Sequence, residues 1–348
     1  MAPEHIGLTD DYFITRVIVG GWQFSPGHGA HEASGTDPVE LFSQLVDLGF
    51  TTFDCADIYQ GVEEFLGRVR RRVAGSGGAG PVRIHTKFVP DLDILPTIDR
   101  SYVEGIIDRS LTRLGVGCLD LLQFHWWDFD VPGFEEVGRW LAELRDKGKI
   151  RNLGVTNFDR RHLEALVSAG VPIVSNQVQY SVLDRRPATD LADYCRKQGI
   201  HLLCYGALSG GFLTDGWAGA PEPSPDTINR SLVKYRLIIG EAGGWEVFQS
   251  ILTALKKVAH RHGVNSASVA LRWVLDQPQV AATITGIDSL GHAMELREAF
   301  DLTLDEEDHG RIREALQAAT GPSGPVYGLE RDREGPHGRI MRYNLNGK

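Results

Sequence analysis

The 348-residue chain predicts one closed α/β barrel of the (β/α)8 TIM type, eight parallel strands each followed by a helix. Three observations carry that expectation. Short β-branched or apolar runs begin at Val17, Thr51, Val82, Leu119, Ile150, Ile173, Ile200 and Val280. Their starts lie 23 to 37 residues apart, apart from a last gap of 80. One strand–helix–strand unit needs about 30 residues. Segments of helical periodicity separate the runs, and no G-x-G-x-x-G follows the first, which removes the phosphate-binding fingerprint of the open dinucleotide-binding sheet.

Asp37-Pro38 reads as the cap and first-turn proline of the first helix, and Gly49 as its stop. Over residues 102–114, Val103, Ile106, Ile107, Leu111 and Leu114 recur at spacings of three and four, which is the amphipathic signature. Gly199 and Gly263 close later helical patterns in the same way. Residues 75–81 read as a flexible connection. The 80-residue gap holds a Gly/Pro/Ser-rich stretch, 209–231, and helical patterns over 245–262 and 266–277. It predicts a long loop and an extra helix on the catalytic face after the seventh strand. Residues 1–320 are expected to form the barrel. Residues 321–348 form a Gly/Pro/Arg-rich tail, expected either to drape over the barrel mouth or to be disordered.

Composition bounds the function. A chain with 42% hydrophobic and 24% charged residues has an ordinary globular makeup and enough apolar mass for a large core. A net charge of -10 opposes electrostatic binding to nucleic acid or to a membrane surface. The N-terminus lacks the basic and apolar regions of a signal peptide, and no apolar run approaches the ~18 residues of a membrane span. The four cysteines, Cys55, Cys118, Cys195 and Cys204, have no C-x-x-C spacing and fit a reducing compartment. The expected location is the cytoplasm.

Barrel enzymes carry their chemistry at the carboxyl ends of the strands. Asp54 ends the second run with Tyr59 in the loop beyond it, Lys87 ends the third and His125 the fourth. Singly, Asp54 reads as a helix cap, Lys87 as a solvated strand end and His125 as a satisfied core histidine. Together, at neighbouring strand ends, they read as one site. A free tyrosine, with a pKa of about 10, is a weak acid at neutral pH. A nearby ammonium lowers that pKa, an aspartate holds the ammonium, and a histidine orients a carbonyl oxygen. Such a group suits reduction of a carbonyl, or oxidation of an alcohol, with hydride from a cofactor. Cys55 reads as a packing residue and Arg68 to Arg72 as a solvated helix end. His28, His31 and Glu32 match no familiar metal spacing, so no metal is expected.

The segments FDCADIYQGVEEFLG, IHTKF, LDLLQFHWWD, GKIRNLGVTNF, NQVQYS and YGALSGGFL, in that order, resemble the aldo-keto reductase family from about Val17 to about Leu304. The resemblance implies a (β/α)8 barrel with Tyr59 as general acid/base and Asp54, Lys87 and His125 completing the tetrad. It implies that Thr156, Asn157 and Gln177 hold a nicotinamide carboxamide and that Tyr205 stacks on the nicotinamide ring. Gly206, Leu208 and Gly210 would lie along the pyrophosphate, and Gly21 and Trp22 near the ribose and substrate. NAD(P)(H) is the implied cofactor.

Two finer expectations follow. Family members that prefer NADP(H) commonly carry Gly-x-Arg or Gly-x-Lys after the eighth strand, then a Glu-Asn pair. Here the segment reads Gly286-Ile287-Asp288-Ser289, followed by His292 and by Glu295-Leu296. Asp288 would repel a 2′-phosphate and accept from a free 2′-hydroxyl, which favours NAD(H). Trp22, Phe24, Trp126, Trp127 and Asp128 interleave aromatic faces with a carboxylate, so the expected substrate is a neutral polyol, sugar or glycoside-like carbonyl or alcohol. A non-catalytic, nicotinamide-binding regulatory subunit of the same fold is the alternative. A Schiff-base aldolase using Lys87 leaves Tyr59, Thr156, Asn157 and Gln177 without a role.

Overall fold

The computed structural model describes residues 3–26, 37–75 and 81–346. A hairpin comes first, formed by β1 (His5–Thr9) and β2 (Tyr12–Thr15). The barrel strands are β3 (Val17–Gly20), β4 (Thr52–Asp54), β5 (Arg83–Phe88), β6 (Leu119–Phe124), β7 (Ile150–Thr156), β8 (Ile173–Gln179), β9 (His201–Tyr205) and β10 (Val280–Thr285). They close in the order β10-β3-β4-β5-β6-β7-β8-β9, with each pair parallel. All eight expected runs are barrel strands, each starting within one residue of its apolar run.

Helices alternate with these strands because each turns one apolar stripe onto the barrel. In α1 (Pro38–Asp47) the Asp37 carboxylate accepts from the Val39 N–H and proline occupies the first turn. Such a cap stabilises a helix by about 1 kcal/mol. In α2 (Val62–Gly75), Val62, Phe65, Leu66, Val69 and Val73 form the buried stripe. The next helices are α3 (Arg100–Leu114), α4 (Phe134–Asp146), α5 (Arg160–Ser168) and α6 (Asp190–Gln198). Gly199 ends α6 in the left-handed conformation. His28, His31 and Glu32, and most of the 75–81 connection, lie outside the described residues.

The hairpin is an element the sequence reading did not contain. Its strands alternate: Tyr12 and Ile14 are buried, while Phe13 between them is 54% exposed. Leu8, Tyr12 and Ile14 pack on Ile18, Leu121, Leu203 and Ala281 of the barrel interior. The Tyr12 hydroxyl and the buried His85 ring nitrogen lie 3.1 Å apart. The hairpin therefore plugs the amino end of the barrel, opposite the strand ends that bear the ionisable residues.

Between β9 and β10 run α7 (Arg230–Glu241), α8 (Trp245–His262) and α9 (Ser266–Leu275). The last two match expected helical patterns, and α7 does not. Asn229 caps α7 through the Leu232 N–H, at the end of the stretch read as Gly/Pro/Ser-rich loop. After β10 come α10 (Leu290–Asp301) and α11 (Glu306–Ala315), then two single helical turns, α12 (Gly328–Arg331) and α13 (Pro336–Arg339).

The tail is fastened to the barrel by charge and backbone. Glu330, 1% exposed, meets Arg186 at 3.4 Å, and Arg186 pairs with Asp184 at 2.7 Å. The Leu345 and Asn346 N–H groups donate to one Asp91 oxygen at 2.7 and 2.9 Å. The Leu92 N–H donates in return to the Tyr343 carbonyl at 3.0 Å. Among the described residues, no helix is long and apolar enough to cross a membrane.

Candidate active site

A cavity of about 430 Å³ opens at the carboxyl ends of the strands, with Asp54, Tyr59, Lys87 and His125 all in its wall. β4, β5 and β6 deliver Asp54, Lys87 and the residue before His125, and parallel pairing sets Asp54 beside His85 and Lys87 beside Gln123. The Lys87 ammonium meets Asp54 at 2.5 Å and donates to the Cys55 carbonyl at 2.8 Å. Both side chains are at most 6% exposed. Burial lowers the Lys87 pKa, but Asp54 and Tyr59 more than offset it, so the net shift is upward. Lys87 is held as an ammonium, the wrong form for a Schiff-base nucleophile.

Two glutamines complete the floor. Gln123 donates to Asp54 Oδ1 at 2.9 Å and Gln177 donates to the same oxygen at 2.7 Å. The Gln177 amide also donates to Gln123 Oε1 at 2.8 Å. A buried carboxylate is thereby compensated on both oxygens, as burial requires. Gln123 was missed at the sequence level, although a lone amide inside the run LDLLQF was its signal.

The Tyr59 ring stands 5.3 Å from the Lys87 ammonium and edge-on to Trp22 at 5.0 Å. Burial raises its pKa to about 12, against the downward pull of Lys87, with Asp54 adding to the rise. The lowering expected from the ammonium alone is outweighed, because burial is the larger effect and Asp54 adds to it. His125 packs edge-on to Trp127 at 4.3 Å and Tyr327 at 5.6 Å. Burial, aided by Arg331 and Lys87, lowers its pKa to about 3. Its Nδ1 lies 3.2 Å from the Thr156 carbonyl, which can only accept, so the single proton of the neutral ring belongs on Nδ1. Nε2 is buried without a partner among the described residues and is left as an acceptor.

The expected cofactor residues separate into two groups. Trp22, Thr156, Asn157, Gln177, Tyr205, Gly206, Leu208, Gly210, Gly286 and His292 line the cavity. Asn157 adopts the left-handed conformation at φ 63° and accepts from the Tyr205 hydroxyl at 2.9 Å. A Cβ on Gly206 would sit 2.6 Å from the Tyr235 hydroxyl, and one on Gly210 2.5 Å from that ring. Glycine there makes room for Tyr235 of α7. Gly21 is tucked under the wall, where its N–H donates to the Asp54 carbonyl at 2.7 Å. Asp288 and Glu295 are exposed and do not line the cavity. Asp288 instead meets the His292 imidazole at 3.4 Å.

The expected substrate wall needs correction. Trp22 and Trp127 line the cavity, but Phe24, Trp126 and Asp128 do not. Phe24 packs on Phe42 and Phe65 under the first helix. Trp126 is fully buried, its indole N–H on the Val131 carbonyl at 3.1 Å. Asp128 turns outward to Arg333 at 3.7 Å. Successive residues of an extended strand end face opposite ways, so His125 and Trp127 point in while Trp126 and Asp128 do not. The tail and α7 supply a further part of the wall: Tyr327, Ile340, Met341, Arg342 and Leu345, with Arg230, Ser231, Lys234 and Tyr235. These residues lacked a sequence signal, since neither segment carries a strand-end position.

Comparison with known proteins agrees with this geometry. The model of the Aldo/keto reductase family matches residues 16–317, from the start of the barrel to the last barrel helix, leaving the hairpin and the tail outside. The chain is 28% identical over 323 residues to the aldo-keto reductase YhdN of Bacillus subtilis, covering 90% of this chain and 93% of that one. It is 33% identical over 257 residues to flagellar radial spoke protein 5 of Chlamydomonas reinhardtii, covering 64% of this chain but only 49% of that protein, so it spans about half the length of that relative. The glycerol dehydrogenase of Gluconobacter oxydans superposes with a TM-score of 0.74 at 25% identity, over 93% of this chain and 99% of that one. The chain belongs to the aldo/keto reductase family.

Proposed function

We propose that the protein interconverts a carbonyl compound and its alcohol, using NAD(P)(H), with Tyr59 as the proton donor and acceptor. The family's members are oxidoreductases that bind nicotinamide cofactors and act on small carbonyl substrates. The observation that carries the reading for this chain is the Asp54–Lys87 pair, with Lys87 5.3 Å from the Tyr59 ring and all three in one cavity wall with His125. Residues 1–320 supply the barrel in this reading and residues 321–348 the cover over its mouth. A reducing cytoplasm suits the four free cysteines.

The residues fit a nicotinamide cofactor on structural grounds. Thr156, Asn157 and Gln177 present hydroxyl and amide groups at adjacent strand ends, and Gln177 is bonded directly to Asp54, so the carboxamide site and the acid–base site share a hydrogen-bond network. The cavity continues past Tyr205 to Gly286 and His292, the direction an extended dinucleotide needs. When bound, the cofactor supplies or accepts the hydride at the substrate carbon.

Tyr59 is protonated at neutral pH, since its pKa is about 12. It donates to the substrate oxygen as negative charge develops there. An alkoxide is a far stronger base than a phenolate, so the transfer is downhill even from a tyrosine raised to this degree. Lys87 then stabilises the phenolate left behind, and Asp54 keeps Lys87 in place. His125 differs from its expected role at a carbonyl oxygen: with Nδ1 protonated, Nε2 accepts from the hydroxyl of an alcohol.

Asp288 favours NAD(H), because an exposed carboxylate beside the Gly286 end of the cavity repels a 2′-phosphate. The sugar expectation keeps its aromatic faces, Trp22 and Trp127, and loses its carboxylate. The test is a titration of purified protein with NADH and with NADPH, followed by addition of an aldehyde panel. Binding and aldehyde-dependent loss of reduced nicotinamide support the reading. Cofactor binding with no turnover on any aldehyde or alcohol supports the regulatory-subunit alternative instead.

A further inference from the structure

Asp57 is buried in the loop that carries Tyr59, two residues before it. The Tyr59 N–H donates to the Ala56 carbonyl at 3.0 Å, which closes a turn with Asp57 and Ile58 at its centre. The Asp57 N–H donates to the Lys87 carbonyl at 3.3 Å, and the Asp57 carbonyl accepts from Arg113 at 2.9 Å. Both carboxyl oxygens of Asp57 accept from the Val89 N–H at 3.3 Å, and the Arg109 guanidinium stands 4.0 Å from one of them. Burial and the neighbouring Glu63 push this carboxyl well above the usual carboxylate range, against the opposing pull of the Val89 N–H and Arg109. The tail reaches both of those partners. Asn346 donates through Nδ2 to the Val89 carbonyl at 2.6 Å, so Val89 meets the tail on its carbonyl and Asp57 on its N–H. Asn346 Oδ1 accepts from Arg109 Nη2, the same nitrogen that faces Asp57, and the Asn346 carbonyl accepts from Nη1 at 3.5 Å. An arginine side chain that is 29% exposed has several rotamers open to it, and two acceptors on one residue hold its fork in a single orientation.

We propose that Asn346 and Arg109 are positioning residues for the proton donor. The docked end of the tail fixes Arg109 and Val89, these two fix Asp57, and the turn through Asp57 sets where the Tyr59 hydroxyl stands. The proposal rests on the reading of Tyr59 as the acid–base group and deepens it. It gives the tail a second role beside covering the mouth, since its last described residue acts on the chemical step through the loop of Tyr59. A hydroxyl displaced by about 1 Å from the substrate oxygen slows proton delivery by up to about 100-fold. Neither Asn346 nor Arg109 lines the cavity, so neither needs to touch the substrate to have this effect.

The test measures single-turnover reduction of saturating benzaldehyde by the full-length protein loaded with reduced nicotinamide. Asn346→Leu and Arg109→Met should each lower that rate by about 10- to 100-fold, with a smaller change in KM. The solvent deuterium isotope effect on the rate should grow, because proton delivery becomes limiting. Arg109→Lys, which keeps a cation beside Asp57, should recover part of the loss. In a Tyr59→Phe background, Asn346→Leu should cost nothing further. Asn346 is close to the chain end, so its variant serves if Arg109→Met fails to fold. An unchanged rate in Asn346→Leu would overturn the proposal. So would a raised KM with the rate intact, which would confine the tail to the mouth, or an equal loss with and without the Tyr59 hydroxyl. If the wild type reduces no aldehyde, or Tyr59→Phe keeps its rate, the reading of Tyr59 has failed. The link is then decided by the fluorine resonance of Tyr59 in protein labelled with 3-fluorotyrosine, assigned by its loss in Tyr59→Phe. A resonance that moves in Asn346→Leu supports the link, and superimposable spectra overturn it.

Discussion

The Arg331 guanidinium donates to the Asn157 carbonyl at 2.8 Å and, through the same nitrogen, to the Trp126 carbonyl at 3.1 Å. One tail residue thereby joins two strand ends of the site, while its face covers Phe129 at 4.3 Å. Arg331→Met keeps most of the packing and removes both donors. Stability should fall by about 1–3 kcal/mol, the usual cost of leaving buried acceptors unpaired. KM for the carbonyl substrate should rise more than kcat falls. Thermal unfolding and steady-state kinetics check this. An unchanged KM would mean that the tail plays no part in shaping the substrate end.

Lys87→Met leaves Asp54 as a buried carboxylate with two amide donors and no cation. Breaking such a pair should cost about 3–5 kcal/mol, and turnover should drop with it. The double variant Lys87→Met/Asp54→Asn removes the orphaned charge. It should regain much of the stability and none of the activity. Denaturant midpoints separate the two effects. Equal instability in the single and double variants would show that the pair matters through packing alone.

The elevated Tyr59 pKa gives the two reaction directions different pH profiles. Reduction uses the protonated form, which predominates up to about pH 12, so Tyr59 contributes no pH dependence in that direction. Oxidation uses the phenolate, a minor form at neutral pH, and its rate should climb by up to about tenfold per pH unit on the alkaline side. Initial rates of alcohol oxidation at alkaline pH provide the check. A flat oxidative profile would contradict a tyrosine raised by burial.

Asp288→Arg should shift cofactor preference toward NADPH by about 1–3 kcal/mol, or roughly 5- to 150-fold in the ratio of kcat/KM values. The change replaces repulsion of the 2′-phosphate with a charge-assisted contact. It also frees His292, now 3.4 Å from the carboxylate. A wild type that already prefers NADPH strongly would mean that His292, which lines the cavity, sets the choice rather than Asp288.

The strands were legible because a barrel wall buried on both sides needs predominantly apolar runs, as in Leu119–Phe124 and Val280–Thr285, and because eight such runs alternate with helical patterns. Asp54, Lys87 and His125 stood out as ionisable groups at the ends of those runs. Gln123 broke its run less visibly, since an amide lacks the charge that marks the others. Trp126 and Trp127 look equivalent in sequence, and only the direction of the strand end separates the buried ring from the cavity ring. The α7 and tail residues were illegible for a different reason. Arg230, Lys234, Tyr327 and Arg342 reach the site through long-range folding of segments whose local pattern is loop-like, and Tyr327 holds a left-handed backbone with its ring edge-on to His125.

The role proposed for Tyr59 is to move the proton that accompanies hydride transfer. Tyr59→Phe removes only the hydroxyl, and the ring keeps its edge-on contact with Trp22. The direct measurement is the single-turnover rate of reduced-nicotinamide oxidation by a saturating aldehyde, in wild type and variant, alongside the unfolding temperature and cofactor affinity of each. With Tyr59 as the proton donor, the variant's rate should be lower by about 100-fold or more, with folding and cofactor binding retained. A Tyr59→Phe variant that turns over at the wild-type rate would contradict it.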